Sequence, residues 1–171
     1  MENKRVKSKF LNSLHELKLT GEWLVPKDDV LITRKIGDSE IGDVRYEKSL
    51  RDSILKHLKK RRVFLDVGAN VGIWSVPMAP LFKKVFAFEP DNMNMHCLRE
   101  NTKGIENITY KNVGLGEKDG LTIIQQCPKN CGNSSVVSPS NVLLPDEVSA
   151  GDKASVGLKK HDEIKNTWKY K

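Results

Sequence analysis

Apolar and polar positions change period several times along this chain, and each change predicts an element. Phe10, Leu11, Leu14 and Leu17 recur at helical spacing, and Thr20-Gly21 closes the run with a glycine suited to a helix C-terminus. Trp23-Leu-Val-Pro26 and Val30-Leu-Ile-Thr33 read as two short strands around a Lys27-Asp-Asp29 turn, expected to form a lid or flap. Leu50, Ile54, Leu55 and Leu58 give an amphipathic helix whose apolar face is expected on a sheet. It leads into Val63 to Val67, a short apolar run of the kind found in buried strands.

The next elements alternate. Ile73 to Ala79 reads as a helix in which Pro77 is tolerable only near the first turn, where a missing N–H costs nothing. Trp74 is read as core rather than as a ligand contact. Val85 to Phe88 forms a second apolar run, and Asp91 then caps a helix that runs through Leu98 to Lys103 and stops at Gly104. Ile105 to Val113 supplies a third strand. Leu121 to Gln126, Ser135 to Val137 and Ala154 to Leu158 are further strand candidates, separated by a Pro-, Asn- and Ser-rich stretch. Strand, helix, strand, helix, strand is the order of an α/β fold with a parallel sheet.

Candidate chemistry sits at the two strand ends. The first strand breaks into Gly68-Ala-Asn-Val-Gly72, and the second ends on Glu89, seventeen residues after Gly72. Glycines there remove side chains where backbone must pass near a ligand and tolerate positive φ. An acid at that distance is where a βαβ unit presents a carboxylate to ribose hydroxyls. The glycine pair alone also fits ordinary α/β packing; Glu89 shifts the reading toward a nucleotide cofactor. A dinucleotide fingerprint would need G-x-G-x-x-G around a pyrophosphate, but the middle position here is Asn70. Asp66, inside the strand end, suits a cationic amino-acid group better than a pyrophosphate. S-adenosylmethionine carries that ammonium group and no phosphate.

Asp66-Val-Gly-Ala-Asn-Val-Gly72, Phe86-Ala-Phe-Glu-Pro90, Leu98 with Asn101, and Asn112-Val-Gly-Leu-Gly116 together resemble the FkbM family of S-adenosylmethionine-dependent methyltransferases, across residues 46 to 162. The resemblance implies a Rossmann-like class I methyltransferase sheet in residues 46–171, preceded by a helix-and-strand extension in residues 1–45. It implies that the glycine loop holds the methionine part of the cofactor and the acid after the second strand holds the ribose. Asp66, Gly68, Asn70, Gly72 and Glu89 inherit those roles. Gly132-Asn-Ser-Ser135 and Leu158-Lys-Lys-His-Asp162 resemble later family segments more loosely. The acceptor implied is a hydroxyl on a small molecule or sugar, which needs a base within hydrogen-bond reach. His161 and Asp162 are the candidates, against a bland reading as a surface pair.

Composition and charge then narrow the picture. A chain of 171 residues has room for one domain with a core, and 38% hydrophobic content is low but globular. With no run of eighteen apolar residues and no apolar segment after the charged start, neither a membrane span nor a secretion signal is expected, and the cytoplasm is the expected location. Three cysteines, Cys97, Cys127 and Cys131, then read as reduced thiols, and no metal site is expected at Cys127-Pro-Lys-Asn-Cys131. The net charge of +7 sits mainly in residues 1–62, while residues 63–120 are close to neutral. Lys59-Lys-Arg-Arg62 reads as a solvated helix end rather than a nucleic-acid patch, because no aromatic residues interleave with it. Nucleic acid remains the minority alternative.

The FkbM resemblance ends early. The family pattern continues with a strand reading apolar-Lys-x-Asp-x-Glu-Gly, the expected neighbour of Val63 to Val67, and this sequence does not contain it. Three readings follow: a truncated or split reading frame, which is favoured; a second chain that completes the sheet; or Ala154 to Leu158 filling the gap. A cofactor-binding fragment or partner subunit without its own turnover is accordingly the main alternative to an active methyltransferase.

Overall fold

A computed structural model describes residues 17–37, 39–41, 43–117, 119–127, 129–137 and 153–160. The helix expected from Phe10 onward lies outside the described residues, apart from Leu17, which begins a strand instead. Strands β1 (Leu17–Thr20) and β2 (Trp23–Pro26) form an antiparallel hairpin. Helices α1 (Leu31–Ile36) and α2 (Lys48–His57) follow. Then come β3 (Val63–Val67), α3 (Ser75–Met78) with a 3-10 turn over Ala79–Leu81, β4 (Lys84–Phe88), α4 (Asn92–Asn101) and β5 (Ile108–Lys111). β3, β4 and β5 make a parallel three-stranded sheet in that order, so the α/β reading holds. Val67 pairs with Phe88, which sets the carboxyl ends of β3 and β4 side by side.

The pleat sorts this sheet into two unlike faces. Successive side chains alternate, so Phe64, Asp66, Val85, Ala87, Ile108 and Tyr110 share one face. Met78, Ala79, Phe82, Met95 and Leu98 cover it from the crossover segments. On the opposite face Leu65 is exposed and Val67 is 58% exposed, with Phe86 half-buried beside them. Parallel sheets bury both faces as a rule. β3 is also an edge: its side away from β4 pairs with no strand among the described residues.

A second sheet holds β6 (Gly114–Gly116), β9 (Lys153–Lys160), β7 (Gly120–Gln125) and β8 (Ser135–Val137), in that order. β9 runs parallel to β6 and antiparallel to β7. This overturns the reading in which Ala154 to Leu158 replaces the missing neighbour of β3. The strand candidates at Leu121 to Gln126, Ser135 to Val137 and Ala154 to Leu158 are thus strands of a separate sheet.

Two local expectations also need correction. Val30 to Thr33, read as a strand from its β-branched residues, is largely helical: α1 spans Leu31–Ile36 and buries Ile32 and Ile36. Those two lie four apart, one turn of helix, and tertiary burial of that stripe outweighs strand propensity. In α2 the expected core face holds only in part: Leu55 packs against the core, but Leu50, Ile54 and Leu58 are exposed and Arg51 is buried. The Arg51 guanidinium donates to the carbonyl oxygens of Tyr46 and Val44 and lies 5.8 Å from the Trp74 ring centroid, which satisfies it away from water. Trp74 itself stacks on Phe64 and donates to Glu47, as a core tryptophan does.

The hairpin read as a flap is anchored in the core. Trp23 and Val25 are fully buried and cluster with Val71, Ile73, Val76 and Cys97. Asn101, on α4, fastens it further: its Oδ1 accepts from Leu24 N at 2.7 Å, and its Nδ2 donates to Leu24 O at 2.9 Å and Val71 O at 2.8 Å. One buried side-chain amide therefore joins β2, α4 and the glycine loop.

Candidate functional site

The candidate site forms where β3 and β4 end. Asp66 is buried and its Oδ2 accepts from Ser75 Oγ at 2.6 Å. Burial raises its carboxyl from 3.8 to about 6, against the opposing hydrogen bonds from Ser75. Glu89, just past β4, is also buried, with Oε2 accepting from Asn70 N at 2.8 Å and Oε1 from Asp91 N at 2.9 Å. Burial lifts it from 4.5 to about 7, opposed by the backbone bonds from Asp91 and Asn70. Two carboxyl groups thus flank one loop in surroundings that disfavour their charged forms. A cationic group held there would favour ionisation.

The loop between them leaves no main-chain donor free from Gly68 to Gly72. Gly68 N and Ala69 N both donate to Phe88 O at 2.9 Å, and Gly72 N donates to Ala69 O at 2.9 Å. Asn70 N goes to Glu89, and Val71 N to the Asn70 Oδ1 at 2.7 Å. Pyrophosphate binding at a strand-to-helix turn depends on such N–H groups pointing outward at a helix N-terminus. Here they are consumed internally, and α3 is only four residues long. The donor set fits a ligand with cationic and hydroxyl groups and does not fit a pyrophosphate.

Backbone conformation explains the residue types. Gly68 has φ +76°, and a Cβ there would meet nothing within 4 Å, so conformation requires glycine while the space beside it stays open. Gly72, at φ +100°, is different. A Cβ there would lie 2.9 Å from Leu98 Cδ1, so this glycine lets α4 pack against the loop. Asn70 adopts φ +52°, a left-handed conformation that asparagine tolerates better than most side chains.

Asp66, Gly68, Asn70, Gly72 and Glu89 therefore lie together at the carboxyl ends of β3 and β4. Asp91 caps α4 as expected, accepting from Met93 N at 2.8 Å and Asn94 N at 3.0 Å. His161 and Asp162 lie outside the described residues. Cys97, Cys127 and Cys131 are free thiols. Lys59 to Arg62 are exposed in the connection from α2 to β3.

Sequence reasoning missed Asp29. It is fully buried, with Oδ1 accepting from Ile32 N and Oδ2 from Cys131 N, both at 2.6 Å. An acid just before an apolar helical stripe is the signature of a capping residue, and that signal was present in the Lys27-Asp-Asp29 turn. The contact with Cys131, across 102 positions, had no sequence signal. A cavity of about 220 Å³ lies alongside, lined by Pro26, Asp28, Asp91, Asn94, Gln126 and Cys131 among others. It meets the site through Asp91, whose N–H donates to Glu89, and Cys131, which bonds Asn70.

Comparison with known proteins gives only partial likenesses. No family model matches the chain. No curated protein matches it either. Among solved structures, the methyltransferase FkbM from Methylobacillus flagellatus KT is similar over 64% of this chain and 24% of its own, at 17% identity and a TM-score of 0.37. Phosphoethanolamine N-methyltransferase 1 from Haemonchus contortus, in complex with phosphoethanolamine and S-adenosylhomocysteine, is similar over 38% of this chain and 14% of its own, at 24% identity and a TM-score of 0.33. This chain spans less than a quarter of either protein. Overlaps of that size do not define a function, which has to come from the site.

Proposed function

We propose that this chain binds S-adenosylmethionine at the carboxyl ends of β3 and β4 as part of a methyltransferase. The observation that carries the reading is the combination at the loop: every main-chain N–H from Gly68 to Gly72 is spent internally, and the carboxyls of Asp66 and Glu89 flank it. Asp66 would face the ammonium of the methionine part, and Glu89 would accept from the ribose hydroxyls with the lone pairs left by Asn70 N and Asp91 N. When bound, the cofactor supplies an electrophilic methyl group on a sulfonium. The protein's part is to orient it and exclude water.

The proposed acceptor is a hydroxyl on a small molecule or sugar, with His161 and Asp162 as base candidates, as the FkbM resemblance implies. Calorimetric titration with S-adenosylhomocysteine and, separately, NAD tests the cofactor assignment. Binding of the first and not the second is expected, and no binding of the first at millimolar ligand rejects the reading. For the acceptor step, His161→Ala combined with Asp162→Ala should abolish hydroxyl methylation in an active preparation; an unchanged rate removes both residues from the mechanism.

A second reading has its own support in β3. The open edge and the uncovered Leu65 and Val67 favour a cofactor-binding portion whose sheet is completed by a further segment, with turnover only in the completed assembly. Cofactor binding without methyl transfer by this chain alone is the result that separates it from the first reading.

A further inference from the structure

Asp29 belongs to the hairpin and α1 region, yet a continuous set of hydrogen bonds connects it to the candidate cofactor carboxylate. Its Oδ2 accepts from Cys131 N at 2.6 Å. The Cys131 thiol donates to Asn70 Oδ1 at 3.1 Å, and that same oxygen accepts from Val71 N. Asn70 N in turn donates to Glu89 Oε2. A second bond beside the first holds the two segments in register, Val30 N donating to Lys129 O at 3.1 Å. Gly132 closes the approach, since a Cβ there would stand 3.5 Å from Asn70 Nδ2.

This arrangement asks for explanation because it is specific and buried. Asp29 is fully buried, Cys131 nearly so, and each oxygen of the Asp29 carboxyl has its own main-chain donor. Such a carboxyl fixes two segments at once, because removing it strands two buried N–H groups. One segment is the start of α1. The other is the turn over Cys131–Asn133, whose only side chain bonded to the glycine loop among the described contacts is Cys131. Asn70 sits in a left-handed conformation with its side-chain oxygen turned toward both Val71 N and that thiol. The turn therefore acts as a clamp on the residue that presents its N–H to Glu89.

We propose that Asp29 is a positioning residue for the cofactor site: through Cys131 it holds Asn70, and so the Asn70–Glu89 contact, in the geometry that receives ligand. The functional half of this rests on the S-adenosylmethionine reading. The N-terminal hairpin and α1 are then working parts of the site, although α2 and β3 separate them from the loop in the sequence. A purely structural Asp29 would stabilise the fold without reporting at Asn70.

The test uses the full chain with Asp29→Asn, which keeps the size of the side chain and removes one of its two acceptors. Thr33→Val is the comparison: Thr33 Oγ1 donates to the Asp29 main-chain oxygen at 2.5 Å, so its loss disturbs the same turn without touching the carboxyl. Two measurements without ligand read the clamp, namely maleimide labelling of Cys131 followed by peptide mapping, and the amide resonances of Asn70 and Val71. Asp29→Asn should speed Cys131 labelling and weaken S-adenosylhomocysteine binding, each by about tenfold, and should shift both resonances. Thr33→Val should do none of these. The proposal is overturned if Asp29→Asn leaves Cys131 protected and the two resonances in place, or if the clamp opens and ligand affinity stays at that of the unaltered protein. Failure of the unaltered protein to bind S-adenosylhomocysteine rejects the cofactor reading and the functional half of the proposal, while labelling and resonances still decide the clamp.

Discussion

The two faces of the β3-β4-β5 sheet obey different rules. On the covered face Val85 and Ala87 are fully buried under α3 and α4, and at its carboxyl end each loop amide from Gly68 to Gly72 has an internal acceptor. On the other face Leu65 and Val67 stand in solvent, and the edge of β3 offers unpaired main-chain groups among the described residues. The difference teaches that the loop at the carboxyl ends of β3 and β4 is satisfied internally, while among the described residues Leu65 and Val67 on the opposite face are left uncovered. The short crossover segments organise the loop and cover the face of Val85 and Ala87, while on the opposite face Phe88 is buried beside the exposed Val67.

The largest effect should come from Gly72. With φ at +100° and Leu98 Cδ1 only 2.9 Å from an added Cβ, Gly72→Ala should cost about 3 kcal/mol in urea unfolding, from conformational strain together with overpacking. A cost below about 0.5 kcal/mol, the range of ordinary surface changes, would mean that α4 does not pack on the loop as described. Comparable in size, Ile108→Ala on the covered face should cost about 3 kcal/mol by leaving a cavity.

Glu89→Gln comes next. It keeps the shape but removes a charged acceptor, and S-adenosylhomocysteine affinity should fall at least about tenfold by calorimetry. The same affinity should depend on pH. Asp66 and Glu89 bind protons more tightly in the folded protein, at about 6 and about 7, than at their ordinary 3.8 and 4.5. Their contribution to stability is therefore fully present below those ordinary values and is lost as pH rises through about 6 and then about 7. A cationic ligand reverses the preference, so binding should strengthen as pH rises through the same window and should release protons. Titrations at about pH 6.5 in two buffers of different ionisation enthalpy measure that release directly. Proton uptake, or no exchange, would contradict the electrostatic account of the site.

The smallest effect is expected on the open face. Val67→Ala should change stability by less than about 0.5 kcal/mol, in contrast to Ile108→Ala, because Val67 gives up little contact. If Val67→Ala instead proves as costly as Ile108→Ala, something covers that face in solution, and the contrast between the two faces fails.

Much of this was legible in the sequence. Val63 to Val67 and Val85 to Phe88 are strands because short β-branched and aromatic runs flanked by turn residues have few other ways to bury themselves. Asp91 was recognisable as a cap from its place before a helical run. Errors arose where local signals compete. Val30 to Thr33 satisfied strand propensity and helical spacing at once, and burial of Ile32 with Ile36 decided for the helix. Leu50, Ile54, Leu55 and Leu58 were assigned to the core by periodicity alone; only Leu55 packs there, and the buried position is Arg51, whose partners Tyr46, Val44 and Trp74 could not be read from α2.

The sequence by itself determined the strand, glycine turn, strand and acid, because those depend on neighbours within one βαβ unit. Tertiary structure decided that the loop amides are all spent, that β9 joins β6 and β7 and does not pair with β3, and that Asp29 meets Cys131. Apart from the local bonds of Val71 N and Gly72 N, each is a pairing between segments separated in the chain. Such pairings are chosen by which buried donors and acceptors find each other on folding, and hydrophobic period carries no record of that choice.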